Sequence, residues 1–240
     1  MDVYLINLER SPDRLARMTK RLEGIAFERI DACDGRLDPP HNGLSGTEIA
    51  CISSHMKAWK ALLSSDRPYA CILEDDAVLS EDFLSIIASD SWLPRGFDVV
   101  KIDTHFHRCL IEKKSSQHES RCLHRLRSTH LGAAAYIISR KGAENMLPFS
   151  HPKNQPLDYW LFGQVAGRRF SIYQMVPALC RQEDYSRSGS TIGEERDIHR
   201  RSVEAQTSKL WREMVRPIYQ CRDFFQTERW KTTRATIDFR

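Results

Sequence analysis

A short apolar run, Tyr69-Ala70-Cys71-Ile72-Leu73, passes directly into three consecutive carboxylates, Glu74-Asp75-Asp76. A run of that length, ending that abruptly, reads as a buried strand that delivers charge to the mouth of a sheet. Three like charges held together repel one another unless a cation, alone or carrying a phosphate-bearing ligand, shares the site. The bland alternative is a strand-to-helix junction in which the acids cap the following helix.

The segments around this strand alternate between strand and helix patterns. Val3-Tyr4-Leu5-Ile6-Asn7-Leu8 reads as a first buried strand and leads into Ser11-Pro12-Asp13. Ser11 can cap a helix there and Pro12 can take its first position; Leu15, Met18 and Leu22 share one face, and Gly24 stops it. The turn gathers Asn7, Arg10 and Arg14 at the carboxyl end of the strand, where α/β sheets bind ligands. One amide and two guanidiniums there suit phosphate or base recognition. Pairing of Arg10 and Arg14 with Glu9 and Asp13 on a surface helix is the alternative. A second strand over 27–32 ends in Cys33-Asp34-Gly35 and a loop through Pro39, Pro40 and Gly43 that covers part of the site.

A helix starting near Ser45-Gly46-Thr47-Glu48 carries Ile49, Ile52, Met56, Trp59 and Leu63 on its apolar stripe, with Glu48 near its positive end. His55 beside that stripe is either a hydrogen-bonded structural histidine or a ligand. After the carboxylate strand a helix is expected over about 81–88, then a strand over 97–103 whose acid, Asp103, can lie beside the first acidic strand end. Residues 107–126 suggest a hairpin with its tip loop at 113–120. His105, His107, His118 and His124 lack the tight spacing of a metal site and read as surface or supporting residues. The small residues of 129–139 suggest a strand that forms a floor beneath a substrate. Asp158 precedes an aromatic-rich helix, either as its N-cap or as a base at the pocket rim.

At 240 residues and 41% hydrophobic content, one sizeable core fits better than two. The expected organisation is a single α/β domain over 1–195 with a basic amphipathic helical segment over 196–240. No stretch approaches the roughly 18 consecutive apolar residues of a membrane span, and no basic leader precedes Val3. The seven cysteines are odd in number, with no Cys-x-x-Cys pair, so the expectation is reduced thiols in a cytoplasm. The net charge is +4, yet residues 196–240 hold eleven Lys/Arg against six Asp/Glu, so the basicity belongs to the tail. Leu210, Trp211, Met214, Val215, Ile218, Tyr219, Phe224, Phe225 and Trp230 recur there at roughly helical spacing. That suits docking on an anionic membrane face; a helix packed on the domain with a solvated basic face is the alternative. Nothing further supports nucleic-acid binding.

In order along the chain, these pieces resemble glycosyltransferase family 25, the bacterial lipooligosaccharide galactosyltransferases and their collagen-type relatives. The resemblance rests on Leu5-Ile6-Asn7-Leu8 with Arg10 and Arg14, on Leu44-Ser45-Gly46 through Glu48, Cys51, Ser54, His55 and Trp59, and on Tyr69 through Glu74-Asp75-Asp76. It continues through His130, Gly132, Ala133 and Ala135 to Arg140, Pro156-Leu157-Asp158, and Pro177-Ala178-Leu179 with Gln182. It implies a GT-A-like fold with a mostly parallel central sheet flanked by helices. It also implies inverting transfer of galactose or a related hexose from a UDP-sugar to a lipid-linked saccharide. By the same resemblance Asp76 would coordinate Mn²⁺ or Mg²⁺, with Glu74 toward the ribose or an outer-shell water and Asp75 beside them. Asn7, Arg10 and Arg14 would hold the nucleotide, with Glu48 and His55 lining the same crevice. Asp158 would be the base, with Asp103 as its rival or a second metal ligand. The location implied is cytoplasmic, peripheral on the inner face of the inner membrane.

Overall fold

The first strand explains the layering. Along β1 (Asp2–Asn7) Tyr4 and Ile6 enter one apolar cluster while Val3 and Leu5 enter another. A strand apolar on both faces is stable only when both faces are covered. The computed structural model describes residues 1–149, 155–163, 169–183 and 231–240. After β1 come α1 (Pro12–Arg21), β2 (Glu28–Asp31), α2 (Gly46–Ser64), β3 (Tyr69–Glu74), β4 (Ala77–Leu79), α3 (Phe83–Ala88), β5 (Val99–Lys101) and β6 (Asp103–Thr104). Then follow β7 (Arg108–His118), β8 (Arg121–Leu126), β9 (Ala135–Ser139), α4 (Arg140–Met146), α5 (Leu157–Phe162), β10 (Ile172–Val176), β11 (Cys180–Gln182) and β12 (Thr232–Thr236). Trp59 and Leu62 of α2, Met146 of α4 and Leu161 and Phe162 of α5 pack with Tyr4 and Ile72 on one face. Met18 of α1 and Phe83, Ile86 and Ile87 of α3 pack with Val3, Leu5 and Cys71 on the other. Each fully buried large side chain of this kind contributes about 1.5–3 kcal/mol.

Among the described residues, nine strands form the main sheet in the order β12-β7-β8-β10-β5-β9-β3-β1-β2, and β4-β11-β6 form a second, small one. The expectation of a mostly parallel sheet is corrected. Among the described residues, only the pairs β1–β2, β1–β3 and β5–β10 of the main sheet are parallel. β9 inserts antiparallel to both β3 and β5, and β7 and β8 form an antiparallel hairpin. The hairpin pairs as far as His118 with Arg121, so its tip is Glu119-Ser120 rather than a loop over 113–120. Glu119 takes a positive φ of 49° there, the conformation a tight two-residue connection demands, and such a connection joins antiparallel strands only.

Most of the helical tail expected over 196–240 lies outside the described residues, which omit 184–230, and with it the proposed membrane-docking face. The part that is described is a strand and not a helix. β12 pairs antiparallel with β7, Ile237 is fully buried, and the main-chain oxygen of Arg240 accepts a hydrogen bond from Arg121 at 2.6 Å. Three threonines among the five residues of β12 favour a strand over a helix, and their pairing covers the edge of β7.

Candidate active site

Because β1, β2 and β3 are parallel, their carboxyl ends meet on one side of the sheet. β9 runs the other way, so its amino-terminal approach reaches that same side; the amide of Glu74 donates to the carbonyl of Ala134 at 2.9 Å. A cavity of about 280 Å³ opens there, lined by Arg10, Arg14, Glu48, Cys51, His55, Glu74, Asp75, Asp76, His105, Gly132, Asp158 and Gln182 among others. A crevice outside the carboxyl ends of the strands is where open α/β sheets place their ligands. The acidic triplet runs directly into a strand and not into a helix. Asp75 and Asp76 form a turn into β4, so the helix-capping alternative does not apply.

The three carboxylates have different surroundings. Asp75 accepts from Asn7 Nδ2 at 2.7 Å and from Arg14 Nη1 at 3.0 Å, so its two oxygens are occupied and it fixes Arg14 to the wall. Asp76 accepts from Gln182 Nε2 at 3.0 Å through Oδ2. Glu74 meets His55 Nε2 at 3.0 Å through Oε1. Burial alone would push the Glu74 carboxyl up. The His55 hydrogen bond and the electrostatic pull of His55, His105 and Lys101 outweigh it and hold the group below its ordinary value. Asp76 and Glu74 thus bring hard carboxylate oxygens to one cavity, a donor set that fits Mn²⁺ or Mg²⁺.

Asn7 is buried beneath this arrangement and does not line the cavity; it bonds Asp75 and the carbonyl of Ser11, and accepts from Arg29 Nε at 3.1 Å. Arg10 reaches the cavity while donating to Asp34 Oδ2 at 2.7 Å. Arg10 first, then Arg36, hold the Asp34 carboxyl well below the usual carboxylate range. The loop carrying Asp34 is seated by Gly35, where a Cβ would lie 2.1 Å from the carbonyl oxygen of Gly46 at the start of α2. Glu48 closes a capping box with Ser45, its Oε2 accepting from the Ser45 amide at 3.0 Å, so it anchors α2 as well as lining the crevice.

His55 ends a chain of buried polar groups. Trp59 Nε1 donates to the Tyr136 hydroxyl at 2.8 Å, and that hydroxyl meets His55 Nδ1 at 2.8 Å. Among the described residues the Tyr136 hydroxyl hydrogen has no acceptor other than His55 Nδ1, which leaves Nε2 as the nitrogen that donates to Glu74.

The two candidate bases are separated. Asp103 is fully buried, paired with Lys101 at 2.5 Å, accepts from the Ala134 amide at 3.2 Å, and does not line the cavity. Lys101 in turn donates to the Gly132 carbonyl at 2.6 Å and stands over the Phe162 ring at 4.4 Å. This pair is the underside of the floor. Asp158, in the first turn of α5, lines the cavity, with Oδ1 accepting from the Tyr159 amide at 2.9 Å and Oδ2 from the Gly132 amide at 3.3 Å.

His105, read from sequence as a surface or supporting residue, is part of the cavity wall. Burial pushes its imidazole below the ordinary value. Asp103 pulls it up, Lys101 pushes it down, and Asp158 and Glu74 pull more weakly. Its Nε2 is buried and makes no hydrogen bond among the described residues. The small residue expected at the floor has a specific reason: Gly132 has φ +92°, and a Cβ there would lie 2.1 Å from His105 Cδ2. What approaches this backbone is the His105 ring. The available signal in the sequence was its place two residues after a strand-end acid.

Residues 1–161 match the family described as glycosyltransferase family 25 (LPS biosynthesis protein). The lacto-N-neotetraose biosynthesis glycosyltransferase LgtB of Neisseria meningitidis serogroup A is 32% identical over 208 residues, 76% of this chain and 75% of that protein. LgtE of Neisseria gonorrhoeae, described in the same words, is 30% identical over 85% of this chain and 86% of its own. The lipooligosaccharide biosynthesis protein lic2B of Haemophilus influenzae is 32% identical over 75% of each chain. A solved glycosyltransferase that acts in glycosylation of the PBCV-1 major capsid superposes with a TM-score of 0.46 at 10% identity, over 83% of this chain and 100% of that one, too loose a likeness to bear on function.

Proposed function

This chain belongs to glycosyltransferase family 25 and is a glycosyltransferase of lipopolysaccharide or lipooligosaccharide biosynthesis. From that premise we propose that it moves galactose, or a related hexose, from a UDP-sugar to a hydroxyl of a lipid-linked saccharide, with inversion at the anomeric carbon, on a GT-A-like fold. The observation that carries the reading is the pairing, in one crevice, of carboxylates able to hold a cation with the guanidiniums of Arg10 and Arg14. A nucleoside diphosphate can be held by both at once.

Asp76, with Glu74 beside it, would hold Mn²⁺ or Mg²⁺, and when bound the ion supplies Lewis-acid stabilisation of the departing diphosphate. Arg14, fixed by Asp75, and Arg10, fixed by Asp34, are oriented without a search among rotamers and bind the anionic donor. Asp158 takes the proton of the acceptor hydroxyl as its oxygen bonds to the anomeric carbon and the bond from that carbon to the diphosphate breaks. The burial of Asp103 against Lys101 supports giving the base to Asp158. The rim opposite the donor is left for the acceptor, and the basic tail would hold the enzyme at the anionic face of the inner membrane where a lipid-linked acceptor resides. Among the described residues no helix is long and apolar enough to cross a membrane.

A donor panel tests this reading. UDP-galactose, UDP-glucose and UDP-N-acetylhexosamines are each offered with a crude lipooligosaccharide acceptor, and the anomeric configuration of the product is read by NMR. Transfer from UDP-galactose with inversion is expected; transfer from another donor, or retention, overturns the corresponding part.

A further inference from the structure

One cluster on the cavity wall has a composition that sugar transfer does not call for. The Cys51 sulfur, a ring nitrogen of His55 and a carboxylate oxygen of Glu74 all lie within 4.8 Å of one another. Cys51 and His55 are four residues apart on α2, so the helix places them on one face a turn apart. β3 brings Glu74 against that face from the sheet. All three line the cavity. Cys51 carries a thiol and is in no disulfide.

One thiolate, one imidazole and one carboxylate, with a fourth direction open to a cavity, make a three-ligand zinc site with an exchangeable position. The mixed sulfur, nitrogen and oxygen set selects against Mn²⁺ and Mg²⁺, which prefer oxygen alone. The support behind it is also present. The second ring nitrogen of His55 meets the Tyr136 hydroxyl at 2.8 Å, and Trp59 holds that hydroxyl in turn. An outer partner of this kind fixes the ring of a metal-bound histidine.

We propose that Cys51, His55 and Glu74 form a binding site for a borderline-soft divalent cation, zinc in first place, distinct in chemistry from the hard-cation site at Asp76. Zinc takes the position of the hydrogen between His55 Nε2 and Glu74. The ring keeps one proton, now on Nδ1 and donated to the Tyr136 oxygen, and the thiol proton of Cys51 leaves to solvent. Tyr136 then accepts two hydrogen bonds, and its own hydrogen loses His55 as acceptor, a cost set against three new metal bonds. Glu74 belongs to both donor sets, so zinc bound here withdraws it from Asp76 and fills donor space, making zinc a competitor of the nucleotide-sugar. That consequence rests on the transferase reading; the metal site does not.

The test is titration of the chelator-treated, full-length protein with Co²⁺, read by absorbance. A near-ultraviolet thiolate-to-cobalt band saturating at one equivalent is expected, bleached by Zn²⁺ and untouched by excess Mg²⁺ or Mn²⁺. Loss of an outer partner costs 10–100-fold in metal affinity, so Cys51→Ser should abolish the band and weaken zinc binding at least about a hundredfold. Glu74→Gln, which preserves the shape of the site, should weaken it too and guards against a folding defect in the first variant. Cys33→Ser, the other thiol on the cavity wall, should leave the band in place. Absence of the band, its survival in Cys51→Ser, or its loss in Cys33→Ser overturns the assignment. If zinc binds as described but does not raise the KM for the donor, the site stands and the competition fails.

Discussion

Replacing Asp103 and Asp158 by asparagine, one at a time, separates a structural carboxylate from a reacting one. Asp103 and Lys101 are both fully buried, and among the described residues each is the other's only opposite charge in direct contact. Asp103→Asn keeps an acceptor for the Ala134 amide but leaves the Lys101 cation buried without its counter-charge. Breaking a buried pair from one side costs about 3–5 kcal/mol. For a chain of this length each kcal/mol lowers Tm by about 2–4 °C, so a fall of about 6–20 °C is expected. Asp158→Asn loses one weak bond to the Gly132 amide on a half-buried side chain, a cost of about 1 kcal/mol. It also removes the proposed base, so turnover should fall about 10²–10⁴-fold with donor KM little changed. Thermal melts and UDP release on both variants give the answer. An Asp103→Asn protein that melts like the wild type but has lost turnover, beside an active Asp158→Asn, would refute both the assignment of the base and the reading of the floor.

Three further outcomes follow from the same structure. Burial first, then the Lys101 charge, pushes the His130 imidazole down to about 3, against an unfolded value near 6.5. Below about pH 6.5 the unfolded chain therefore takes up a proton that the folded one refuses until about pH 3, and stability falls with pH across that window. In urea titrations at pH 7 and pH 5, His130→Gln should lose about 2 kcal/mol less than the wild type between the two; equal losses would contradict this. Gly132→Ala combines a left-handed backbone, costing about 1–3 kcal/mol, with a Cβ placed inside the His105 ring. It should fold with a lowered Tm and transfer poorly, and wild-type kinetics would show that the floor is not as described. Ile237→Ala should destabilise by about 2–5 kcal/mol because Ile237 is fully buried, and a change below about 0.5 kcal/mol would mean that the end of the chain is not docked on the sheet.

The elements near the site were legible from sequence because local rules govern them. Ser45 and Glu48 announce the start of α2 through a capping box, Pro12 sets the first turn of α1, and the run into Glu74 marks a strand end. The partners of those elements were less legible. Nothing local in Ala135–Ser139 states that it inserts antiparallel between β3 and β5, since strand neighbours are chosen by tertiary pairing. That insertion is what brings Gly132 and His105 to the cavity, so His105 was passed over with it. The acidic triplet showed that charge collects here but not how it divides, because the pairing of Asp75 with Asn7 and Arg14 joins residues more than sixty positions apart. At the other end, aromatic and basic spacing suggested a helix through 240, whereas Thr232–Thr236 add a strand to an open edge, a role that β-branched threonines signal and amphipathic counting hides.

Transfer from a nucleotide-sugar at the end of β3 is proposed to be metal-assisted. Its most direct test is UDP release from UDP-galactose with lipooligosaccharide acceptor, with and without Mn²⁺, for the wild type and for Asp76→Ala, both verified as folded. Release that requires the metal and falls at least about a hundredfold in the variant is expected. Release that proceeds equally without metal, or that survives in Asp76→Ala, would contradict it.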